Sequence, residues 1–495
     1  MSSAMDALKA RLFEANAIGM AIAVLDWDQQ CNMPHGGGAA RAEHVGVLSK
    51  LAHESVVSDE TQRALEAAER EVDPNTVDGA CVRLTRRGLD METKLPGDFV
   101  AEKARASAQA HETWVKARTA DDFEAFRPTM EKMVEIARQE AEYLGYKDHI
   151  YDALTDKYEE GATKKFWDGM FDQIRQPLTD LVAEIGKKPA PNDAFLTGNW
   201  DEAKQREFSL KLMEAIGFDM ERGRLDVAAH PFCTNFSVGD VRLTTRFQEF
   251  LPTSIFGTLH EAGHGMYEQG SPMEWDRLPV AGGVSLGFHE SQSRTWENIV
   301  GRSKAFWKFF YPQLQQTLTQ FQSISMDDFY RSVNKVEPSL IRVEADELTY
   351  NLHILIRFEL ECEMLEGTLA VKDLPAAWNE KYEKYLGITP PNDKDGCMQD
   401  VHWSAALMGY FPTYSMGNIL SYQIWSELEK SVGDTNALME KGEFKPILDW
   451  LIDNMYQHGQ RFQPQVLLQK LCGGGLDAQP YLNGMTKKYS EIYGL

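Results

Sequence analysis

The chain has 495 residues, 43% of them hydrophobic, which is enough to bury a large core in one big domain or two ordinary ones. It carries 51 basic and 75 acidic residues, a formal net charge of −24 at pH 7, so nucleic acid and anionic membrane surfaces are not expected partners. Six widely spaced cysteines form no C-x-x-C pair, which excludes a disulfide scaffold and favours a cytoplasmic protein with reduced thiols.

The longest apolar run near the start covers residues 17–25. It is too short to cross a membrane and has no basic leader, so it predicts a buried helix segment. Much of the remaining chain repeats apolar residues every three or four positions, most clearly over 171–185 and 341–355. The sequence therefore predicts a mainly α-helical protein.

One segment, residues 238–247, alternates polar and apolar residues and ends shortly before the most informative part of the chain. It predicts a short strand or hairpin, and hence a small β-sheet beside the following helix. No internal repeat or long linker divides the sequence. We therefore expect a single unit over residues 1–495, with two lobes around a cleft.

The most informative part is the pentapeptide H-E-x-x-H, in which His260 and His264 are four residues apart and Glu261 follows the first histidine. On an α-helix that spacing puts both imidazoles on one face, where they can bind a single Zn²⁺. Glu261 is then the candidate general base. Apolar residues of the same segment are expected to pack on the opposite side of the helix.

A hydrolytic zinc site needs a third protein ligand and one open position. Glu290, 26 residues after His264, is the candidate, and its neighbour His289 competes with it for this role. Gly270 stands where the metzincin pattern requires a third histidine, and Arg294 stands where the thermolysin pattern requires an aspartate. The partners that orient the two zinc histidines are not identifiable from the sequence.

Further short blocks support one family. They are Leu25-Asp26-Trp27-Asp28, Tyr151-Asp152-Ala153-Leu154, Gly223-Arg224-Leu225-Asp226, Asp240-Val241-Arg242-Leu243-Thr244, and the segments 266–270, 289–294, 341–346, 396–403 and 409–414. In this order they resemble the carboxypeptidase Taq family of zinc metallocarboxypeptidases, and the resemblance covers essentially the whole chain. Departures such as Cys31 for a threonine remove no group that the chemistry needs. Gly265, for an alanine, is expected to cost the zinc helix up to about 1 kcal/mol.

The resemblance implies a metallocarboxypeptidase with a deep-clefted helical fold similar to the neurolysin-like zinc peptidases. It implies one catalytic domain, peptide substrates with a free C-terminus, a homodimer, and Zn²⁺ as the cofactor, with Co²⁺ as an alternative because a His₂Glu site accepts both metals. The metal ligands would be His260, His264 and Glu290. Two other functions stay open: a zinc oligoendopeptidase of related fold, and a catalytically dead helical binding protein.

The resemblance also implies roles for residues far from the pentapeptide. Arg342 would bind the substrate carboxylate, and Tyr414 with His402 would donate hydrogen bonds to the substrate or its oxyanion. Each has a structural alternative: Arg342 and Asp346 are spaced for an ion pair on a helix, and an aromatic-rich segment is commonly core. Arg242 would line the same cleft, unless it pairs with Asp240 to fix a strand.

Overall fold

A computed structural model describes residues 3–495, and its fold is mainly α-helical, as predicted. The helices that precede the sheet are α1 Ala4–Cys31, α2 Gly38–Val57, α3 Asp59–Glu71, α4 Val77–Lys94, α5 Gly97–Ala120, α6 Phe123–Leu144, α7 Ile150–Thr155, α8 Lys164–Ile185 and α9 Glu202–Ile216. The helices that follow it are α10 Pro252–Gln269, α11 Leu286–Arg294, α12 Lys304–Thr317, α13 Met326–Val333, α14 Tyr350–Glu366, α15 Leu374–Leu386, α16 Pro412–Val432, α17 Thr435–Met439, α18 Lys445–Asn454, α19 Pro464–Cys472 and α20 Gln479–Tyr493.

Short helical turns connect several of these elements. The 3₁₀ turns are His35–Gly37, Ala194–Leu196, Met273–Trp275, Thr319–Ser323, Arg342–Glu344, Val371–Asp373 and Tyr456–His458. A π-helical turn, Thr295–Val300, continues directly from α11.

A small sheet lies beside α10, as the sequence predicts. Its strands are β1 Gly223–Val227, β2 Cys233–Ser237 and β3 Asp240–Thr245. The central strand β3 pairs with β1 in parallel and with β2 as an antiparallel hairpin. Val241 and Leu243 are buried, and Leu243 reaches α10, so one face of the sheet supports that helix.

The main hydrophobic core extends from Ala117 on α5 to Tyr493 on α20 and contains fully buried tryptophans such as Trp167 and Trp307. Each such indole removes about 150–250 Å² from water, roughly 4–6 kcal/mol as an upper estimate. A second, smaller core joins α1, α3 and α4 to Leu278 and to Val280, in the loop after α10. The N-terminal helices are therefore attached to the loop that follows the H-E-x-x-H helix.

Two expectations need correction. Residues 17–25 are helical, but every one is half-buried or exposed in the single chain because α1 packs mainly against α2 and α3. The periodic segment 341–355 is not one helix: a 3₁₀ turn at its start is followed by irregular chain, and α14 begins only at Tyr350. The likeness to neurolysin-like peptidases stays a prediction.

Candidate active site

The α10 helix carries the H-E-x-x-H residues and packs closely against α11. Pro252 is at the first turn of α10, where its missing N–H costs nothing. Gly263 allows the close approach, because a Cβ there would lie 2.4 Å from the carbonyl oxygen of Gln292. Gly265 likewise makes room for Phe218, 2.6 Å from its would-be Cβ, so this glycine is a packing requirement and not merely a weak helix former.

Three side chains from α10 and α11 converge on one point. The Nε2 atoms of His260 and His264 lie 3.7 and 3.5 Å from Oε2 of Glu290. The three ligand atoms all lie within 4.8 Å of one another, an arrangement that could hold a metal ion. Burial disfavours the charged form of Glu290, but Arg294 and the histidines hold the pKa of this carboxyl well below its usual value.

Each histidine uses its other ring nitrogen for a second contact. Nδ1 of His260 lies 2.8 Å from Oε2 of Glu297, and Nδ1 of His264 lies 2.7 Å from Nδ1 of His289. His289, the sequence's competing ligand, is therefore turned to the far side of His264. These partners orient the two imidazoles with Nε2 toward Glu290.

The sequence alone did not identify Glu297 as the partner of His260, although its spacing from Glu290 could have indicated this role. Glu297 follows Glu290 by seven residues, two helical turns, and so lies on the same side of the helix. Arg294 lies between them, with Nε 2.7 Å from Oε1 of Glu290 and Nη1 3.2 Å from Oε2 of Glu297. One arginine thus fixes both carboxylates.

Glu261 lies beside this group and is 6% exposed. Burial raises its pKa to about 7, opposed by His260 and reinforced by Glu290. A carboxyl group in this range can take up and release a proton near neutral pH, as a general base must.

Tyr350, at the start of α14, connects this group to a second one. Its ring centroid lies 4.7 Å from the guanidinium carbon of Arg294. Its hydroxyl accepts a hydrogen bond from Nη1 of Arg342 at 3.0 Å. The side chain of Tyr350 therefore lies between Arg342 and the residues around Glu290.

Arg342 is not paired with Asp346, so the helix ion pair considered from the sequence is wrong. Asp346 instead accepts hydrogen bonds from the main chain of Leu348 and Thr349, ahead of α14. Arg342 is 5% exposed and contacts Asp400, with Nε at 2.9 Å and Nη2 at 2.8 Å from Oδ1. The other carboxylate oxygen of Asp400 lies 2.7 Å from both Nε and Nη2 of Arg357.

The Arg342–Asp400–Arg357 cluster carries an uncompensated charge. Asp400 is the one carboxylate that ion-pairs with either arginine within residues 3–495. Burial lowers the pKa of the neighbouring His402 to about 4, so this imidazole is neutral and adds no charge. Two guanidiniums and one carboxylate leave a net charge of +1 in a buried place, which an anionic ligand would neutralise.

His402 and Tyr414 lie in the same cluster. The Tyr414 ring centroid is 5.3 Å from the guanidinium carbon of Arg342 and 6.3 Å from the His402 ring. Nδ1 of His402 is buried without a hydrogen-bond partner. Burial raises the pKa of Tyr414 well above its usual value, so its hydroxyl remains a hydrogen-bond donor.

Arg242 lies on the face of β3 opposite to Leu243. Its Nε and Nη2 each lie 2.9 Å from an oxygen of Asp240. Its guanidinium also stacks on Trp27 of α1, 4.4 Å from the ring centroid. Arg242 thus ties the sheet to the first helix.

Comparison with known proteins identifies the family of the chain. The family model described as carboxypeptidase Taq (M32) metallopeptidase matches residues 7–489. The chain belongs to this family. It is 41% identical to thermostable carboxypeptidase 1 of Thermus thermophilus, and the match covers 95% of each chain. It is 38% identical to carboxypeptidase 1 of Bacillus subtilis, and this match covers 96% of this chain and 95% of that one. The solved M32 carboxypeptidase of Deinococcus radiodurans R1 superimposes with a TM-score of 0.96 at 37% identity and 99% coverage of both chains.

Membership of the M32 family makes this chain a metallocarboxypeptidase, a peptide hydrolase that depends on a divalent metal. Its substrates are peptides. Of the three functions considered from the sequence, the oligoendopeptidase and the inactive binding protein are the two that the comparisons do not support. None of the helices within residues 3–495 is long and apolar enough to span a membrane.

Proposed function

We propose that this metallocarboxypeptidase uses Zn²⁺ held by His260, His264 and Glu290 to release single C-terminal amino acids from peptides. The observation that carries the proposal is that one residue, Tyr350, contacts both Arg294 beside the three-ligand cluster and Arg342 of the positively charged cluster. A three-ligand cluster lies on one side of Tyr350, and a buried cluster with a net positive charge lies on the other. The first suits a metal ion and the second suits a terminal carboxylate.

The donor set supports zinc. Ligand atoms around a tetrahedral Zn²⁺ at about 2.0–2.1 Å are about 3.3 Å apart, close to the 3.5 and 3.7 Å between the histidine nitrogens and Glu290. Three protein ligands leave one position open, as in catalytic zinc sites. A bound Zn²⁺ would supply Lewis acidity to the scissile carbonyl and to the attacking water. The same ligands accept Co²⁺.

Glu261 is proposed as the general base. Its carboxylate would accept a proton from the attacking water and pass it to the nitrogen of the leaving amino acid, so that no acyl-enzyme forms. Its burial beside His260 and its pKa of about 7 support this role.

Arg342 is proposed to bind the substrate's C-terminal carboxylate. A guanidinium has five N–H donors, and the contacts of Arg342 with Asp400 and Tyr350 use three of them. Two remain, enough for a bidentate contact with a carboxylate. The net charge of the cluster favours the same ligand.

His402 and Tyr414 are proposed as donors to the substrate or to its oxyanion. The tetrahedral intermediate of peptide hydrolysis bears a negative oxygen, and donors held ready for it lower the barrier. The contacts of both side chains with the Arg342 cluster support this proposal. For Arg242 we propose the structural role, because its partners are Asp240 and Trp27.

A homodimer is proposed from the apolar surface of the first two helices. Val24 on α1 and the pair Val47 and Leu51 on α2 are 37%, 62% and 46% exposed. The helices α1 and α2 pack against each other, and we propose that these three residues contribute to one exposed apolar face. We further propose a single catalytic domain, with two lobes around a cleft, in the cytoplasm; its six free cysteines fit a reducing compartment.

Two experiments test the proposed function. In the first, metal content and activity are measured together before chelation, after chelation and after return of Zn²⁺ or Co²⁺. We expect one ion per chain, and we expect activity to follow it. Glu261→Gln should retain the ion and lose about 10²–10⁴-fold in kcat. Full activity of this variant would contradict the role of Glu261.

In the second experiment, N-blocked peptides with free and with amidated C-termini are compared. We expect hydrolysis of the free acids and release of one amino acid at a time. Comparable rates on the two series would contradict recognition of the carboxylate by Arg342.

A further inference from the structure

A line of three side chains extends from the proposed metal site into the protein. Nδ1 of His264 lies 2.7 Å from Nδ1 of His289, and Nε2 of His289 lies 2.6 Å from Oε1 of Glu268. The other histidine differs, because His260 contacts the carboxylate of Glu297 directly. An extra imidazole thus separates His264 from its carboxylate.

One arrangement of protons satisfies this line when Nε2 of His264 binds the metal. The neutral His264 then carries its proton on Nδ1 and donates it to Nδ1 of His289. His289 must therefore carry its own proton on Nε2, which it donates to Glu268. Every nitrogen and oxygen along the line has a partner, and every donor points away from the metal.

The surroundings hold both outer members of the line in place. Glu268 also accepts hydrogen bonds from the main-chain N–H of Gly283, at 3.1 Å, and from Nδ2 of Asn235 on β2, at 2.7 Å. The ring of His289 packs on Gly283, where a Cβ would lie 2.5 Å from its Cδ2. Only a residue without a Cβ leaves room for the imidazole at this position.

We propose that His289 and Glu268 are positioning residues of the metal site, which hold His264 in the orientation and tautomer that bind the metal. This inference rests on the proposed metal site. Neither residue contacts the ion; both act through His264. Loss of such an outer partner typically costs about 10–100-fold in metal affinity.

The test measures the dissociation constant of Zn²⁺ by competition with a chromogenic chelator, together with the visible absorption of the Co²⁺-loaded protein. His289→Leu leaves the His264 proton without an acceptor and should weaken binding about 10–100-fold. His289→Asn restores an oxygen acceptor near the position of Nδ1 and should recover part of this loss. His53→Leu, the same change at an exposed histidine on α2 beside Glu92, leaves the line intact and should have no effect.

A double-mutant cycle tests whether Glu268 acts through His289. Glu268→Gln alone should weaken binding, and the double variant with His289→Leu should bind no more weakly than His289→Leu by itself. Additive losses would mean that Glu268 acts independently, and would overturn the proposed line.

The stability of the metal-free proteins separates positioning from a general structural role. We expect the metal-free His289→Leu and Glu268→Gln proteins to melt close to the parent. Unchanged Zn²⁺ affinity in both variants would overturn the inference, and so would an affinity loss matched by an equal loss of metal-free stability. Failure of the proposed metal site looks different: the parent itself would bind no Zn²⁺, or His264→Ala would bind it as tightly as the parent, and the inference would fall with it.

Discussion

The guanidinium of Arg342 contacts a single carboxylate oxygen of Asp400 through two nitrogens, Nε at 2.9 Å and Nη2 at 2.8 Å. Burial opposes the charge on Asp400, but Arg342 and Arg357 hold its pKa well below its usual value. The carboxylate is therefore ionised at any working pH and keeps the guanidinium in one orientation. In the role proposed for Arg342, the substrate would meet an arginine that is already positioned, which reduces the entropy lost on binding.

Arg342→Lys is expected to separate charge from geometry at this position. Lysine keeps the positive charge but lacks the planar fork that contacts Asp400 and a second carboxylate together. Hydrogen bonds to charged groups contribute about 1.5–3 kcal/mol, so kcat/KM for free-acid peptides should fall about 10–100-fold, mainly through KM. Steady-state kinetics with a blocked dipeptide measures this.

The matched control for this substitution is Arg175→Lys. Arg175 is a partly exposed arginine paired with Asp172 and Glu359 on the protein surface. Its variant should keep the parent's KM. An Arg342→Lys enzyme with an unchanged KM would contradict carboxylate recognition by Arg342.

Gly417 on α16 is a second position at which a small change should affect the metal site. A Cβ at Gly417 would lie 2.4 Å from Cγ of Glu290. Gly417→Ala must therefore displace Glu290 or α16, at a cost of about 1–3 kcal/mol for overpacking. We expect weaker Zn²⁺ binding, measured by chelator competition.

Gly169→Ala is the matched control for this helix substitution. Gly169 lies within α8, and a Cβ there would meet nothing within 4 Å. This variant should bind Zn²⁺ like the parent and gain roughly 0.5–1 kcal/mol in stability. Equal metal affinity in the two alanine variants would show that the contact between Gly417 and Glu290 does not set the ligand's position.

The sequence predicted the parts of the fold and site that depend on local spacing. The four-residue step in the pentapeptide places His260 and His264 on one helix face, and the strand between residues 238 and 247 is present as β3. Apolar periodicity predicted a helix that begins before Tyr350. This prediction was wrong because Asp346 accepts hydrogen bonds from main-chain N–H groups in the irregular chain just before α14. Local hydrogen bonds of this kind leave no periodic trace.

Contacts between distant segments could not be predicted in the same way. The pairing of Arg342 with Asp400 joins positions 58 residues apart. The close approach of Gly417 to Glu290 depends on the packing of α16 against α11. Helical spacing from Glu290 would have been enough to suggest Glu297 as a residue of the site. The contact between His264 and His289, in contrast, depends on how α10 and α11 face each other.

Glu361 on α14 should make stability depend on pH. It is fully buried and accepts hydrogen bonds from the Tyr151 hydroxyl, Nε1 of Trp403 and the N–H of Gly409. Burial raises its pKa from 4.5 to about 7, so the folded protein holds this proton more tightly than the unfolded chain. Its stabilising contribution is complete below about pH 4.5 and is lost as the pH rises through about 7, a change of about 3 kcal/mol.

Glu361→Gln removes this titration. The amide's imperfect hydrogen bonds cost the same at every pH, so that cost cancels when two pH values are compared. The stability difference between parent and variant, measured by denaturant unfolding at about pH 5 and about pH 7.5, should shift by about 2.4 kcal/mol against the parent at the higher pH. Parallel pH profiles for the two proteins would contradict the raised pKa.

The apolar face of α1 and α2 predicts a change in oligomeric state on substitution. In the single chain, Val47 and Leu51 are exposed one helical turn apart, beside a helix whose residues 17–25 are nowhere fully buried. Burying such a side chain in a dimer is favourable by about 1.5–3 kcal/mol, and an aspartate there would repel its symmetry mate. Val47→Asp with Leu51→Asp should convert a dimeric parent to monomers in sedimentation experiments. Val466→Asp, at a valine on α19 that is 42% exposed, should not. A parent that sediments as a monomer at every concentration would contradict the proposed homodimer.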